Sequence, residues 1–168
     1  RNPVIPEIIS TAENNFSRKD VTINFDSNDE VYYSVSAPIY EENGFESFDS
    51  VTVSSSRGKT GFIKAENNEI ILPAKNDAAV FYTVFAYAKD ISGNCSDIIS
   101  YSTIIDSKNY YVDSKSDSKI PHTGTKSDPY PAINDAIRSI VSNNVSLYLD
   151  GSFVLDKSVT IGTNCNII

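Results

Sequence analysis

One stretch in the second half of the chain constrains the fold more than any other, because strand and helix patterns follow each other there. A short apolar strand at residues 110–112 leads into a loop, residues 113–128, that is rich in Ser, Lys, Asp and Gly. Beyond the loop, apolar side chains recur at spacings of three and four, which is the period of one helical face. They are Tyr130, Ile133, Ala136, Ile137, Ile140 and Val141. We therefore predict a strand, an exposed loop and one amphipathic helix, in that order.

The start of this helix is predicted from two prolines. Pro129 and Pro131 are tolerated only in the first turn of a helix, because proline lacks the N–H that later turns need. Ser127 or Asp128 is then the predicted N-cap, since both side chains can accept a hydrogen bond from the first free amides. The asparagine pair at residues 143–144 is suited to end the helix.

Short apolar strands follow the helix and are separated by turn residues. The turns are predicted at Asp150–Gly151 and at Gly162. The strands are predicted at residues 145–149, 153–155, 159–161 and 165–168. Residues 106–108 are a short linker before this region, so residues 107–168 form a second predicted domain. The start at Arg1 and the stop at Ile168 predict that the sequence is part of a longer polypeptide.

The first hundred residues have a different pattern, in which short strands alternate with polar turns. Residues 21–25 and 31–35 alternate apolar and polar positions with period two, and residues 80–88 are apolar or aromatic on both faces, as in a central strand. Further strands are predicted at residues 51–53, 62–65, 69–72 and 98–105. About seven strands in this length are typical of an immunoglobulin-like β-sandwich. We predict such a domain over residues 1–106.

Two segments of the first domain resemble a known class of modules. Residues 86–96 follow the pattern Ala-x-x-x-Asp-x-x-Gly-Asn-x-Ser, which resembles the last hairpin of bacterial fibronectin type III or immunoglobulin-like domains. Val31-Tyr-Tyr-Ser34, after a Val-Thr-Ile-Asn-Phe strand, is similar to the chitobiase C-terminal-like subgroup. The resemblance implies the fold of the first domain and almost nothing about its function. The acidic and aromatic loop at residues 41–49 is longer than that pattern expects.

The second domain resembles the N-terminal cap of pectin-lyase-like proteins, which are right-handed parallel β-helices. The residues that match the signature are Tyr111, Val112, Gly124, Thr125, Pro129, Tyr130, Ala132, Ile133, Ala136 and Ile137. The resemblance implies that residues 107–168 are a capping helix and the first coil or coils of a truncated β-helix. Catalytic residues of that superfamily generally lie on later coils, so it implies no catalytic residue here. Because a repeat fold needs about three units for stability, downstream coils of the same polypeptide are the expected partner.

Composition excludes several kinds of partner. The net charge of −8 argues against nucleic acid, whose affinity for proteins comes largely from Lys and Arg, and against anionic membranes. No stretch approaches the ~20 apolar residues of a bilayer span. The two cysteines, Cys95 and Cys165, fall in different predicted domains, and two free thiols are favoured over a disulfide, although the sequence leaves their redox state open.

Few residues are candidates for a catalytic or ligand-binding role, and for each of them a structural role is the favoured interpretation. His122 is the sole histidine, and an ordinary exposed residue is favoured over a catalytic one. With two distant cysteines, a zinc site is not expected. Gly124-Thr-Lys126 lacks the spacing of a phosphate-binding loop and is better explained as the loop before the helix. The oxygen-rich turns at residues 26–30 and 90–97 are candidate Ca²⁺ sites, although turn composition explains both.

The loop after residue 40 holds two further candidate sets. Its carboxylates could pair for glycoside chemistry, but a solvated acidic loop is favoured; they are Glu41, Glu42, Glu46 and Asp49. Aromatic side chains could form a sugar-binding platform, although core packing is the commoner use; they are Tyr32, Tyr33, Tyr40, Phe45 and Phe48. No catalytic, cofactor-binding or metal-binding residue is therefore assigned, and no cofactor is expected beyond a possible Ca²⁺.

These observations predict a mainly β chain without an active site of its own. The expected role is a spacer or interaction module of a secreted or cell-surface bacterial β-helix protein, adhesin-like or polysaccharide-binding, whose partner is a polysaccharide or a host surface protein. One alternative is the N-terminal portion of a polysaccharide lyase or glycoside hydrolase with its active site beyond residue 168. The other is a carbohydrate- or calcium-binding β-sandwich. All of these functions rest on analogy of fold.

Overall fold

The computed structural model describes residues 2–40, 61–76, 78–154 and 164–168. Within these residues the chain is mainly β, with twelve strands in three sheets and one α-helix, which confirms the predicted structural class. The strands predicted at residues 51–53 and 159–161 lie outside the described residues. None of the described helices has the length and apolar character needed to cross a bilayer.

The chain divides into two compact units. The first comprises Arg1–Ala74 and Val80–Ile105, and the second comprises Lys75–Ala79 and Asp106–Ile168. The sequence had not indicated that Lys75–Ala79 groups with the later residues. Hydrogen bonds explain it, because the Ser107 hydroxyl donates to the carbonyl oxygen of Lys75 at 2.7 Å and the Ser142 hydroxyl donates to that of Asn76 at 3.4 Å.

Two sheets build the first unit. Their strands are β1 (Glu7–Ser10), β2 (Phe16–Ser17), β3 (Val21–Asp26), β4 (Glu30–Ser36), β5 (Ile39–Tyr40), β6 (Ile63–Lys64), β7 (Glu69–Leu72), β8 (Ala79–Lys89) and β9 (Ile99–Ile105). One sheet has the order β1-β3-β7, and the other has the order β2-β9-β8-β4-β6, with β5 paired to β8. Six of the predicted strands are confirmed by β3, β4, β6, β7, β8 and β9.

The core of the first unit lies between these two sheets. Val21 and Ile23 of β3 and Val80 and Val84 of β8 have no exposed surface and belong to one hydrophobic cluster. The alternation predicted for β3 explains its contribution, since every second side chain points to the same face. β8 pairs with β4 on one edge and with β9 on the other, both antiparallel, so its predicted central position is confirmed. Its side chains are buried on both faces.

A parallel sheet and one helix build the second unit. The elements are β10 (Asn109–Asp113), α1 (Ile133–Ser139), β11 (Asn144–Asp150) and β12 (Asn164–Ile167). The strands pair in chain order, and both pairings, β10 with β11 and β11 with β12, are parallel. Tyr110 is in register with Leu147, and Leu147 with Ile167. Ile133 and Ala136 of α1 complete a core with Tyr110 and Leu147.

The predicted start of the helix is wrong. The helix begins at Ile133 and has Ala132 as its N-cap, without a side-chain hydrogen bond, so neither Ser127 nor Asp128 caps it. The reason is that the residue before a proline is disfavoured in the helical region. Tyr130, which precedes Pro131, is therefore extended and forms a parallel bridge to Val112 of β10.

Two other predictions for the second unit need correction. The helix ends at Ser139, and Ile140 already has extended backbone angles, so Val141 does not continue the helical face and is 47% exposed. Phe153 and Val154, predicted as part of a strand at residues 153–155, belong to no strand. Residue 155 lies outside the described residues.

Candidate functional site

The most developed polar cluster in the described residues surrounds His122, in the loop between β10 and α1. The Nδ1 atom of His122 lies 2.6 Å from Oδ1 of Asp128, and its Nε2 atom bonds the backbone carbonyl oxygen of Asp117. The other carboxylate oxygen of Asp128 accepts hydrogen bonds from the amide of Thr123 at 2.8 Å and from its hydroxyl at 2.9 Å. Asp128 thus organises the loop rather than the helix start.

The exposure of His122 differs from the sequence prediction, and the pKa values of His122 and Asp128 are both shifted. Only 10% of the His122 side-chain surface is exposed, so the ring is less exposed than predicted, while its non-catalytic role stays a prediction. The hydrogen bond to Asp117 and then the bond to Asp128 raise the pKa of His122 above its ordinary value of 6.5. Partial burial opposes ionisation of Asp128, but the bonds from Thr123 and His122 outweigh it, and the pKa of that carboxyl lies below 3.8.

A cleft of about 470 Å³ adjoins the cluster. One wall is the loop from Ser118 to His122, and the other comes from Tyr130, Pro131 and the outer face of α1. Lys119 and Arg138 are its cationic residues and Asp135 is its anionic one, with 3.9 Å between Arg138 and Asp135.

The Gly124-Thr-Lys126 segment is a tight turn, as the sequence indicated. The amide of Gly124 donates to the carbonyl of Asp128 at 2.9 Å, and Thr125 and Asp128 form an isolated antiparallel bridge. Gly124 has a φ of +73°, and the ring of Tyr130 lies directly against it. This contact explains why a residue without a side chain stands there.

The turn at residues 90–97 uses its oxygen atoms internally. Asp90 accepts from the backbone amide and from the side-chain amide of Asn94, both at 2.8 Å. The side-chain bond from Asn94 is the main reason that the pKa of Asp90 is lowered. Gly93 has the positive φ expected of a tight turn, whereas Asn94 does not. The carboxylate therefore closes the turn instead of pointing to a free position.

The other candidate Ca²⁺ site, at residues 26–30, is likewise occupied by local contacts. The side chain of Asn68 donates to the carbonyls of Ser27 at 3.2 Å and Asp29 at 3.5 Å. Glu30 forms an exposed ion pair with Lys64 at 2.5 Å, which lowers the pKa of that carboxyl. Among the described residues, no three His, Cys, Asp or Glu side chains form a group that could hold a metal.

The predicted aromatic platform is not assembled by the described residues. Tyr32 stacks on Tyr87 with ring centres 5.5 Å apart, whereas Tyr33 points to the core face and packs against Phe25 at 6.4 Å. Tyr32 and Tyr33 therefore lie on opposite faces of the sheet, as period two requires for neighbours in a strand. The sequence contained this signal. Tyr40 ends β5, while Phe45, Phe48 and the four carboxylates at Glu41, Glu42, Glu46 and Asp49 lie outside the described residues.

The two cysteines have separate surroundings, and both are free thiols in the structure. Cys95 lies in the turn after β8, and Cys165 is in β12, in register with Val145. Cys165 packs against the core of the second unit, and this burial raises its pKa. Neither thiol lies beside a histidine that could activate it.

The parallel sheet presents an apolar surface at β12. On the face that the helix covers, Tyr110 and Leu147 have at most 1% of their surface exposed. Ile167, the next residue in the same row, is 63% exposed, and Ile168 beside it is 64% exposed. On the opposite face, Tyr111 and Tyr148 stack at 4.5 Å across the pair β10–β11. Within the described residues, β12 pairs on one side only.

Comparisons of the chain with protein-family models, with curated proteins and with solved structures found no match.

Proposed function

We propose that this chain is a non-catalytic module in which an immunoglobulin-like β-sandwich precedes the beginning of a right-handed parallel β-helix. The observation that carries the proposal is the row Tyr110–Leu147–Ile167 of the second unit. Its members belong to three strands that pair in parallel and in chain order, and their exposure rises from 0% and 1% to 63%. An apolar row that ends exposed is suited to receive the next strand of a stack.

The strand order of the first unit supports the sandwich. In an immunoglobulin-like fold, strands A, B and E share one sheet, and C, F and G share the other. The sheet β1-β3-β7 corresponds to the first set, and the neighbours β4, β8 and β9 correspond to the second. The parallel pairing of β2 with β9 places an N-terminal strand beside the last one, so both ends of this unit contribute to one sheet.

The proposed role is to orient further coils of the same polypeptide on a bacterial surface or in a secreted protein, where those coils bind a polysaccharide or a host surface protein. The edge of β12 that is unpaired among the described residues is the attachment point. Its backbone N–H and C=O groups can continue the parallel ladder, and its apolar side chains can be covered by the next coil.

Self-association of the chain tests the proposal, because a second copy can cover the same surface. Burying an isoleucine completely contributes about 1.5–3 kcal/mol, so the exposed part of Ile167 contributes about 1–2 kcal/mol per copy. We expect Ile167→Lys to weaken association at least tenfold in sedimentation velocity. The matched control is Ile71→Lys, on the edge strand β7 of the first unit, where the isoleucine is 60% exposed.

The control is expected to associate like the original chain. A chain that stays monomeric at every concentration, or an equal loss of association in both variants, would contradict the role assigned to β12.

A further inference from the structure

The contacts of His122 require a charged ring. The Nδ1 atom faces a carboxylate oxygen of Asp128, and the Nε2 atom faces the backbone carbonyl oxygen of Asp117. Both partners are hydrogen-bond acceptors, so both ring nitrogens must donate. Only the imidazolium form of histidine carries two N–H groups, and a neutral ring would direct a lone pair at one of the two oxygens.

These two bonds connect separate parts of one loop. Asp117 lies at the outer end of the loop, whereas Asp128 is held near the sheet through Thr123 and through the amide of Gly124, which bonds its carbonyl. The His122 ring is the link between them. The loop from Ser118 to His122 is also one wall of the cleft beside α1, so the position of the ring sets the shape of that cleft.

We propose that His122 is a proton-controlled latch, whose imidazolium form holds the loop from Asp117 to His122 closed and whose neutral form releases it. Loss of either ring proton breaks one of the two bonds and frees the cleft wall. The latch does not depend on the proposed function, because it involves only the loop between β10 and α1.

The charged groups near the ring set the direction of the response. Asp117 and Asp128 of the loop both favour the imidazolium, and they are the charged contributors to the raised pKa of His122. Lys119 on the same loop and Arg138 on α1 are the cationic side chains that line the cleft with His122. Asp135 on α1 is the anionic one, and Tyr130 is the remaining titratable residue there. Because the folded-state pKa of His122 is raised, the latch is closed in acid, well below pH 6.5, and opens as pH rises through that higher value.

Nuclear magnetic resonance can observe this directly, since His122 is the sole histidine of the sequence and its ring signals need no assignment. We expect both ring nitrogens to carry protons below pH 6.5 and the titration midpoint to lie above 6.5. Over the same interval the hydrogen-exchange protection of the Lys119 amide, which bonds Asp117, is expected to fall at least tenfold. Amides of β10 and β11 are the internal reference and should keep their protection.

Two variants separate a latch from a merely structural histidine. In His122→Gln the hydrogen-exchange protection of the Lys119 amide should stay the same over this pH interval, because glutamine does not titrate. In Asp128→Asn, which keeps the shape of the side chain, the midpoint of His122 should fall. A neutral ring below pH 6.5, a midpoint at or below 6.5, or a pH-dependent step that persists in His122→Gln would overturn the latch. If His122→Gln does not fold, the Asp128→Asn midpoint and the exchange of the original chain decide alone.

Discussion

The substitution Gly124→Ala is the most sensitive test of side-chain packing in the second unit. A Cβ atom at this position would lie 2.0 Å from Cε2 of Tyr130 and 2.6 Å from its Cδ2, well inside contact distance. Neither side can move easily. The carbonyl of Gly124 accepts from the amide of Tyr111 at 2.9 Å, and its own amide is bound to Asp128. Tyr130 is 7% exposed and also bonds Tyr111 through its backbone.

Three contributions give the expected loss of stability of Gly124→Ala. The left-handed backbone at φ +73° costs an L-residue about 1–2 kcal/mol. Overpacking against the Tyr130 ring adds about 1–3 kcal/mol. The lower entropy of the unfolded chain offsets about 0.4–1 kcal/mol. The free energy of unfolding of the second unit should therefore fall by about 1–5 kcal/mol.

The assay is urea unfolding followed by the amide resonances of β10 and β11, which belong to the second unit. The steric control is Gly93→Ala, at φ +88° with no atom within 4 Å of the added Cβ; followed by the amides of β8 and β9, it should cost only the backbone strain. A double-mutant cycle with Tyr130→Leu isolates the ring contact, since the cost of Gly124→Ala should shrink towards the backbone strain when the ring is absent. A cost below about 1 kcal/mol, or the same cost with and without the ring, would refute this reasoning.

Two further substitutions test individual polar groups. The hydroxyl of Thr103 is buried and has no hydrogen-bond partner among the described residues. In urea unfolding of the first unit, Thr103→Val should therefore leave stability unchanged or raise it by about 1 kcal/mol. A clear loss of stability would mean that the hydroxyl does have a hydrogen-bond partner. The hydroxyl of Tyr110 donates to the carbonyl of Ser139 and accepts from the amide of Val141, both at 3.3 Å, so Tyr110→Phe should cost the second unit about 1–2 kcal/mol. An unchanged midpoint for Tyr110→Phe would show that water replaces both bonds.

The strands with a clear period of two were predicted from the sequence, whereas three of the short strands were not. β3, β4 and β7 agree with their predictions because their alternating residues match the alternating faces of a strand. Three short strands, β1, β2 and β5, were not predicted. These strands exist through pairing. For example, β1 is defined by its register with β3, from Glu7 opposite Asp26 to Ser10 opposite Ile23.

The contacts of the candidate site around His122 were also beyond what the sequence could predict. A polar loop ahead of the helix was predictable, but the ring of His122 is held by residues five and six positions away whose arrangement depends on how the loop closes. Spacing alone does not place an acceptor on each nitrogen of a ring. The separation of Tyr32 from Tyr33, by contrast, follows from strand alternation and could have been foreseen.

The sequence by itself determined the mainly β class, most of the long strands and the presence of one amphipathic helix, because these depend on local periodicity. Only the tertiary structure decided where α1 begins, since the backbone of Tyr130 pairs with β10 and Pro131 prevents an earlier helical turn. It also decided that His122 lies, partly buried, between two acceptors, and that Lys75–Ala79 joins the second unit. These features arise from contacts between residues distant in sequence or closed by a loop, whose free energies no local pattern contains.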